Sequence, residues 1–85
     1  MLDQSVSLSL DVRGMRGEAA IIELTHYLDR AIARGVARVE IIHGTGEGIL
    51  MKLVAEYLAG RKGIKHFETA PYDQGGPGKT LVTLE

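Results

Sequence analysis

Strand patterns and helix patterns alternate along this chain, and their order leaves few possible folds. From Val6 to Val12 apolar and polar residues alternate with a period of two, which predicts a half-buried strand. Apolar residues then recur at helical spacing from Gly17 to Arg34, and β-branched residues predict a second strand that ends near His43. Strands joined through a helix are normally parallel, so the first two strands should point the same way.

The second half of the chain continues this alternation. Helical spacing returns at Ile49 and stops at Gly60 or Gly63, and a short third strand follows from Ile64 to Ala70. The turn-rich loop PYDQGGPGK then leads into a last strand, from Thr80 to Glu85. The first three strands should be parallel in direction, and the short loop makes the last one antiparallel. The predicted fold is therefore of the α/β class, with the order βαβαββ.

Composition narrows the class of protein. The 85 residues suffice for one domain, and 45% hydrophobic and 25% charged residues are ordinary for a globular protein. The absence of cysteine excludes disulfides and thiolate metal sites and favours a reducing compartment, and no apolar run predicts a signal peptide or a membrane span, so we expect a cytoplasmic protein. A net charge of −1 argues against a strongly basic nucleic-acid binder, so any contact with phosphates must be local.

Three glycine-rich segments should meet at one edge of the sheet. They are LDVRG, HGTGEG and GGPGKT, and they follow the first strand, follow the second strand and precede the last strand. Glycine permits positive φ and lets backbone N–H groups approach a ligand, and a helix N-terminus adds free N–H donors with a partial positive charge. The three segments therefore predict a binding site for an anion such as phosphate. The alternative is that these glycines only form tight turns.

Two familiar nucleotide-binding motifs are excluded. DQGGPGKT resembles the end of a P-loop, but Asp73 stands where the first glycine belongs and only five residues follow Thr80, too few for the helix that the motif opens. GTGEGI has Ile49 in place of the third glycine of the dinucleotide fingerprint. We therefore expect no nucleotide cofactor in this domain.

Three ionisable residues lie at the ends of adjacent predicted strands. Asp11 and Arg13 share one side of the pleat, and His43 can approach them if the first two strands are neighbours. A histidine titrates near neutrality, a carboxylate can orient it or bind a metal, and an arginine can hold a phosphate by a two-point fork. This set indicates phosphodiester cleavage. The alternative is a structural ion pair between Asp11 and Arg13, with His43 capping the second strand.

In this order around βαβαββ, the segments LDVRG, HGTGEG and GGPGKT resemble the Smr domain, the small MutS-related domain. The resemblance runs from residue 6 to residue 85, and we interpret residues 1–5 as a flexible tail or the remnant of a linker. Because its LDVRG motif contains an arginine, the chain is most similar to the Smr domain that ends proteins of the second bacterial MutS family. This resemblance implies a MutS-like ATPase region in cis. The implied fold is a two-layer α+β sandwich similar to the C-terminal domain of translation initiation factor three, with a four-stranded mixed sheet and two helices on one face.

The resemblance also implies a function. Smr domains bind nucleic acids and often cleave DNA or RNA as endonucleases, in DNA repair, in the suppression of homologous recombination or in the rescue of stalled ribosomes. Carried onto this chain, the implied catalytic residues are Asp11, Arg13 and His43. Asp11 would either orient His43 or hold a divalent metal such as Mg²⁺ or Mn²⁺. The phosphate-binding set comprises Arg13, the glycines of the second segment and three residues of the third, namely Gly44, Gly46, Gly48, Gly76, Gly78 and Lys79.

One residue departs from the pattern of the family. Eukaryotic Smr nucleases carry a histidine where Arg13 stands, and an arginine does not shuttle protons at ordinary pH. The leading hypothesis is an endonuclease in which Arg13 stabilises charge in the transition state and His43 moves a proton. The main alternative is a non-catalytic module that binds branched DNA or the ribosome for its parent protein. A third hypothesis is a sensor of small anions or nucleotides.

Overall fold

The computed structural model describes residues 7–85, and it has the predicted order of strands and helices. Within these residues the elements are β1 (Ser9–Asp11), α1 (Gly17–Ala33), β2 (Arg38–Ile42), α2 (Ile49–Ala59), β3 (Ile64–Thr69) and β4 (Lys79–Leu84). Two short 3₁₀ turns, Tyr72–Gln74 and Gly76–Gly78, lie between β3 and β4. The order βαβαββ is confirmed.

The four strands form one mixed sheet in the order β1-β2-β4-β3. β1 is parallel to β2, and β4 is antiparallel to both of its neighbours, β2 and β3. The first three strands therefore point the same way, as the crossover rule predicts. The last strand lies between β2 and β3, so its first residue is beside the end of β2. This placement brings the loop before β4 next to the segment that follows β2.

Both helices pack on one face of this sheet. In β2 the buried residues Val39 and Ile41 alternate with more exposed ones, and in β4 the buried residues Thr80, Val82 and Leu84 do so too. Within residues 7–85, therefore, only one face of the sheet is covered. Each fully buried leucine or valine stabilises the folded state by about 1.5–3 kcal/mol, because its apolar surface is removed from water. The core cluster consists of Val12, Ala20, Leu24, Tyr27, Leu28, Ala31, Val39, Ile41, Val54, Leu58, Val82 and Leu84.

Strand β1 is shorter than the alternation predicts. The predicted start at Val6 lies outside the described residues, and the strand covers only Ser9–Asp11. The Ser7 hydroxyl donates to the carbonyl oxygen of Ser9 (3.0 Å) and accepts from the Ser9 amide (3.3 Å). Such local side-chain bonds compete with the ladder of a sheet and shorten the strand.

The ends of the helices agree closely with the expected stops. α1 ends one residue before Arg34, and Gly60, the first of the two predicted stops, is the C-cap of α2. Among residues 7–85, neither helix combines the length and the apolarity needed to cross a bilayer.

Candidate nucleic-acid interface

The three glycine-rich segments meet at Gly44, at the edge of the sheet where β2 ends. A Cβ placed on Gly44 would lie 3.4 Å from Cγ of Arg13, so the stem of that arginine covers this glycine. A Cβ placed on Gly78 would lie 3.5 Å from Cα of Gly44, and the carbonyl oxygen of Gly78 accepts hydrogen bonds from the amides of His43 (3.0 Å) and Gly44 (2.9 Å). The convergence expected from the strand directions is therefore present.

A cleft of about 500 Å³ opens beside this contact, and we call it the glycine cleft. Residues 14–17 and 43–51 line it, so it includes the first residues of both helices. No side chain within residues 7–85 caps either helix, and α2 has no acidic residue in its first turn. The amides at the start of α2 thus offer donors and a partial positive charge to a ligand. Glu47, an exposed residue of the lining, adds one negative charge beside them.

The glycines of the second segment give the cleft its backbone shape. Gly44, Gly46 and Gly48 have φ values of +76°, +30° and +80°, which residues with a side chain rarely adopt. Gly48 is the N-cap of α2 in the left-handed conformation. The three predicted phosphate-binding glycines of this segment therefore all line the cleft.

Asp11 and Arg13 form an exposed, forked ion pair at the same edge. The guanidinium donates from Nε to Oδ1 (3.0 Å) and from Nη2 to Oδ2 (2.7 Å), and the Arg13 amide also donates to Oδ1 (3.0 Å). The side-chain hydrogen bonds from Arg13, followed by the backbone one, lower the pKa of Asp11 from 3.8 to about 2. The carboxylate in turn raises the pKa of Arg13. Both groups are therefore charged at neutral pH.

His43 is buried, and both of its ring nitrogens have partners within the chain. Nδ1 lies 3.0 Å from the carbonyl oxygen of Gly44, and Nε2 lies 2.8 Å from Oγ1 of Thr80. A carbonyl oxygen can only accept, so Nδ1 carries a hydrogen and, in the neutral ring, Nε2 accepts from the Thr80 hydroxyl. Among the described residues, Thr80 is the buried polar partner of His43, and it is not one of the predicted site residues.

The structure corrects the expected proximity of His43 to Asp11. Strands β1 and β2 are neighbours, as predicted, but Asp11 lies opposite Ile42 in the register. Successive side chains of a strand point to opposite faces, so His43, one residue further, points to the helix-covered face while Asp11 lies on the open one. In the described part of the chain, no hydrogen bond joins His43 to Asp11 or Arg13.

Lys79 lies on the open face of the sheet, away from the glycine cleft. It pairs with Ile42 in the register, and its Nζ lies 3.2 Å from Oε1 of Glu40. Its stem covers Gly75, because a Cβ there would lie 2.8 Å from Cε of Lys79. Gly76 is buried within the loop, with φ of +60°. Of the three residues in the third segment that were predicted to bind phosphate, Gly78 alone packs against Gly44 of the second segment.

The residues that the structure describes do not form a ready metal site. No group of three or more histidines or carboxylates that could hold a metal ion occurs between residues 7 and 85. Asp11 offers a single carboxylate, and Arg13 already binds both of its oxygens. A Mg²⁺ ion bound there would depend on oxygens from a substrate and from water.

One family model and two curated relatives all relate this chain to the Smr domain or to MutS2 proteins. The family model for the Smr domain matches residues 10–85. Endonuclease MutS2 of Streptococcus pyogenes is 47% identical over 75 residues, which are 88% of this chain and 10% of that protein. Endonuclease MutS2 of Geobacillus kaustophilus is 46% identical over 83 residues, which are 98% of this chain and 11% of that protein. The chain thus spans about a tenth of the length of these curated relatives.

Two solved structures share the fold. The Smr domain of Thermus thermophilus MutS2 matches with a TM-score of 0.90 and 33% identity, covering 93% of this chain and 99% of that one. YdaL, a stand-alone small MutS-related protein from Escherichia coli, matches with a TM-score of 0.86 and 27% identity, covering 92% of this chain and 64% of that one. The predicted two-layer α+β fold is confirmed.

Proposed function

The chain belongs to the Smr domain family, and from this premise we propose that it binds nucleic acid at the glycine cleft and cleaves phosphodiester bonds there. The observation that carries the proposal is the contact of Arg13 and Gly78 with Gly44. This contact places an exposed arginine–carboxylate pair at the edge of the glycine cleft, which the uncapped start of α2 also lines. The two features together suit a phosphate, which needs both hydrogen-bond donors and positive charge.

Arg13 is the proposed phosphate clamp. Its side chain is 61% exposed, and its guanidinium holds Asp11 by the same two-point fork with which it would hold two phosphate oxygens. An exposed ion pair contributes little to stability, so a phosphate can compete for the guanidinium. Asp11 then acts as a positioning residue, because it fixes the plane of the guanidinium before the substrate arrives.

The cleavage step needs charge stabilisation and proton transfer. Arg13 and the amides at the start of α2 stabilise the negative charge that builds on the phosphoryl oxygens. His43, which lines the glycine cleft, takes the proton of the attacking hydroxyl or water on its Nε2, which requires the Thr80 hydroxyl to turn away first, and the leaving oxygen takes a proton from solvent water. On RNA the 2′-hydroxyl attacks and leaves a 2′,3′-cyclic phosphate and a 5′-hydroxyl. On DNA a water molecule attacks and leaves one phosphate end and one hydroxyl end.

The proposal extends to the parent protein. The chain matches about a tenth of the length of proteins named Endonuclease MutS2. We therefore propose that a MutS-like ATPase region lies in the same polypeptide. In that setting the domain would act on DNA in recombination suppression or repair, or on RNA in the rescue of stalled ribosomes.

One observation favours a second candidate, a non-catalytic binding module. Both ring nitrogens of His43 and both carboxylate oxygens of Asp11 are engaged within the chain. A binder of branched DNA or of the ribosome would keep these bonds and use the glycine cleft and Arg13 only to grip phosphate.

Incubation of the purified domain with supercoiled plasmid and with structured RNA separates the two candidates. Each substrate is tested with EDTA, Mg²⁺ or Mn²⁺, which also determines whether a metal takes part. A nuclease yields nicked or shortened products that are lost in His43→Ala and kept in His26→Ala, an exposed histidine of α1. Arg13→Ala tests the proposed phosphate clamp beside the cleft without disturbing the core, because Arg13 is exposed. Binding in a gel shift with no product would support the binding module and refute the nuclease.

A further inference from the structure

Tyr72 stands out among the described residues because its large side chain is 94% exposed. Within residues 7–85 its hydroxyl has no hydrogen-bond partner. The other three aromatic residues do not offer a free ring in this way: Tyr27 is buried, Phe67 packs against the core, and Tyr57 packs against the core and lies under the guanidinium of Arg61. An exposed aromatic ring offers a large, flat surface that a stacked ligand would bury.

The loop that carries Tyr72 is fixed by its own hydrogen bonds. The carbonyl oxygen of Pro71 accepts from the amides of Gln74 and Gly76, each at 2.9 Å. At its base, the amide of Ala70 donates to the carbonyl oxygen of Lys79, also at 2.9 Å. The tyrosine is therefore presented from a preformed turn, which reduces the entropy lost when a ligand binds.

This loop borders two clefts. Gly78 at its end packs on Gly44 of the glycine cleft, while Pro71 and Gln74 line a second cleft of about 540 Å³ on the helix-free face of the sheet, which we call the open-face cleft. Arg38 lines the open-face cleft together with Glu40 and Glu68. Glu40 is paired with Lys79 and Glu68 lies 2.9 Å from His66, whereas Arg38 has no ion-pair partner among the described residues. Tyr72 thus belongs to the loop that borders both clefts, between Pro71 and Gln74 of the open-face cleft.

We propose that Tyr72 is a stacking platform for an unpaired nucleobase, next to the phosphate that the glycine cleft holds. The inference rests on the proposed function and narrows its substrate to single-stranded or locally unpaired nucleic acid. Every base has a π-face, so stacking on one tyrosine favours unpaired bases over paired ones without selecting a sequence. Arg38 supplies a positive charge for the phosphate backbone beyond the stacked base.

Substitutions at the same position separate stacking from simple apolar contact. Affinity is measured by fluorescence anisotropy for a labelled single-stranded oligonucleotide, its duplex and a strand with abasic sites, with DNA and RNA versions of each. Tyr72→Ala and Tyr72→Leu should both weaken binding of the single strand by about 5- to 150-fold, whereas Tyr72→Phe should bind like the wild type. Affinity for the duplex and for the abasic strand should change little.

A direct signal comes from Tyr72→Trp, because the chain contains no tryptophan. The single indole should be quenched by the single-stranded oligonucleotide and not by the duplex or by the abasic strand. Equal binding by Tyr72→Ala and the wild type, an unquenched indole in a complex that forms normally, or full affinity of Tyr72→Leu would each overturn the stacking role.

The same experiment distinguishes failure of this inference from failure of the proposed function. If Tyr72→Ala binds normally while Arg13→Ala binds weakly, the stacking role is wrong and the phosphate site stands. If the wild-type domain binds none of the oligonucleotides, both proposals are refuted.

Discussion

The Nε2 atom of His43 lies 2.8 Å from the Oγ1 atom of Thr80, and both residues are buried. With Nδ1 bonded to the carbonyl oxygen of Gly44, this hydrogen bond fixes the imidazole between the end of β2 and the start of β4. The ring therefore supports the wall of the glycine cleft. It is also the group that the proposed cleavage needs for proton transfer, so its structural and chemical roles must be tested separately.

Removal of the Thr80 hydroxyl tests the structural role. In Thr80→Val, Nε2 of His43 loses its donor in a buried position, which should lower the free energy of unfolding by about 1–3 kcal/mol. Urea denaturation measures the change. Thr83→Val, at a half-buried position of the same strand, is the control and should change stability by less than about 0.5 kcal/mol. Equal losses in the two variants would show that the hydrogen bond to His43 contributes nothing specific.

The ion pair of Asp11 and Arg13 predicts a particular pH dependence. The folded-state pKa of Asp11, about 2, is below the ordinary value of 3.8, so the pair stabilises the fold above pH 3.8 and loses this effect as the pH falls toward 2. In Arg13→Ala the side-chain hydrogen bonds are lost and the pKa should rise toward 3.8. Carbon-detected NMR titration of the Asp11 carboxyl measures both values. A wild-type pKa near 3.8 would mean that the pair does not persist in solution.

Gly44 and Gly35 provide a matched test of the glycine cleft. Both have positive φ, +76° and +71°, so an alanine at either position should cost about 1–2 kcal/mol of stability. At Gly44 alone, the added methyl group would contact the stem of Arg13 at the cleft. Gly44→Ala should therefore weaken nucleic-acid binding in a gel shift, and Gly35→Ala should not. Equal affinities of the two folded variants would exclude Gly44 from the interface.

Local sequence patterns predict the order of the elements, the strand directions and the convergence of three glycine-rich segments. They do not determine which side of the sheet each residue at the edge points to. That depends on the register between strands, where a shift of one residue exchanges the two faces. For this reason the ring of His43 faces Thr80 rather than Asp11, and Lys79 reaches Glu40 on the open face. The position of β4 between β2 and β3 likewise depends on long-range pairing.

Glu47 provides a test in which binding should improve. Its exposed side chain belongs to the lining of the glycine cleft, where a carboxylate repels phosphate. Glu47→Gln should raise the affinity for an oligonucleotide several-fold at low salt, and the gain should shrink as salt screens the charge. Glu56→Gln, an exposed position in the second half of α2, is the control for net charge. Identical gains from both variants would indicate a non-specific charge effect.

The central claim is that nucleic acid binds at the glycine cleft, and amide chemical shifts test it most directly. The ¹⁵N-labelled domain is titrated with a short oligonucleotide while two-dimensional NMR spectra are recorded. We predict that the largest shift changes fall on Arg13 and on residues 43–51, with little change at Gly35 and at residues 60–63 near the opposite ends of the helices. Shift changes concentrated at those opposite ends, with residues 43–51 unaffected in a saturated complex, would contradict the claim.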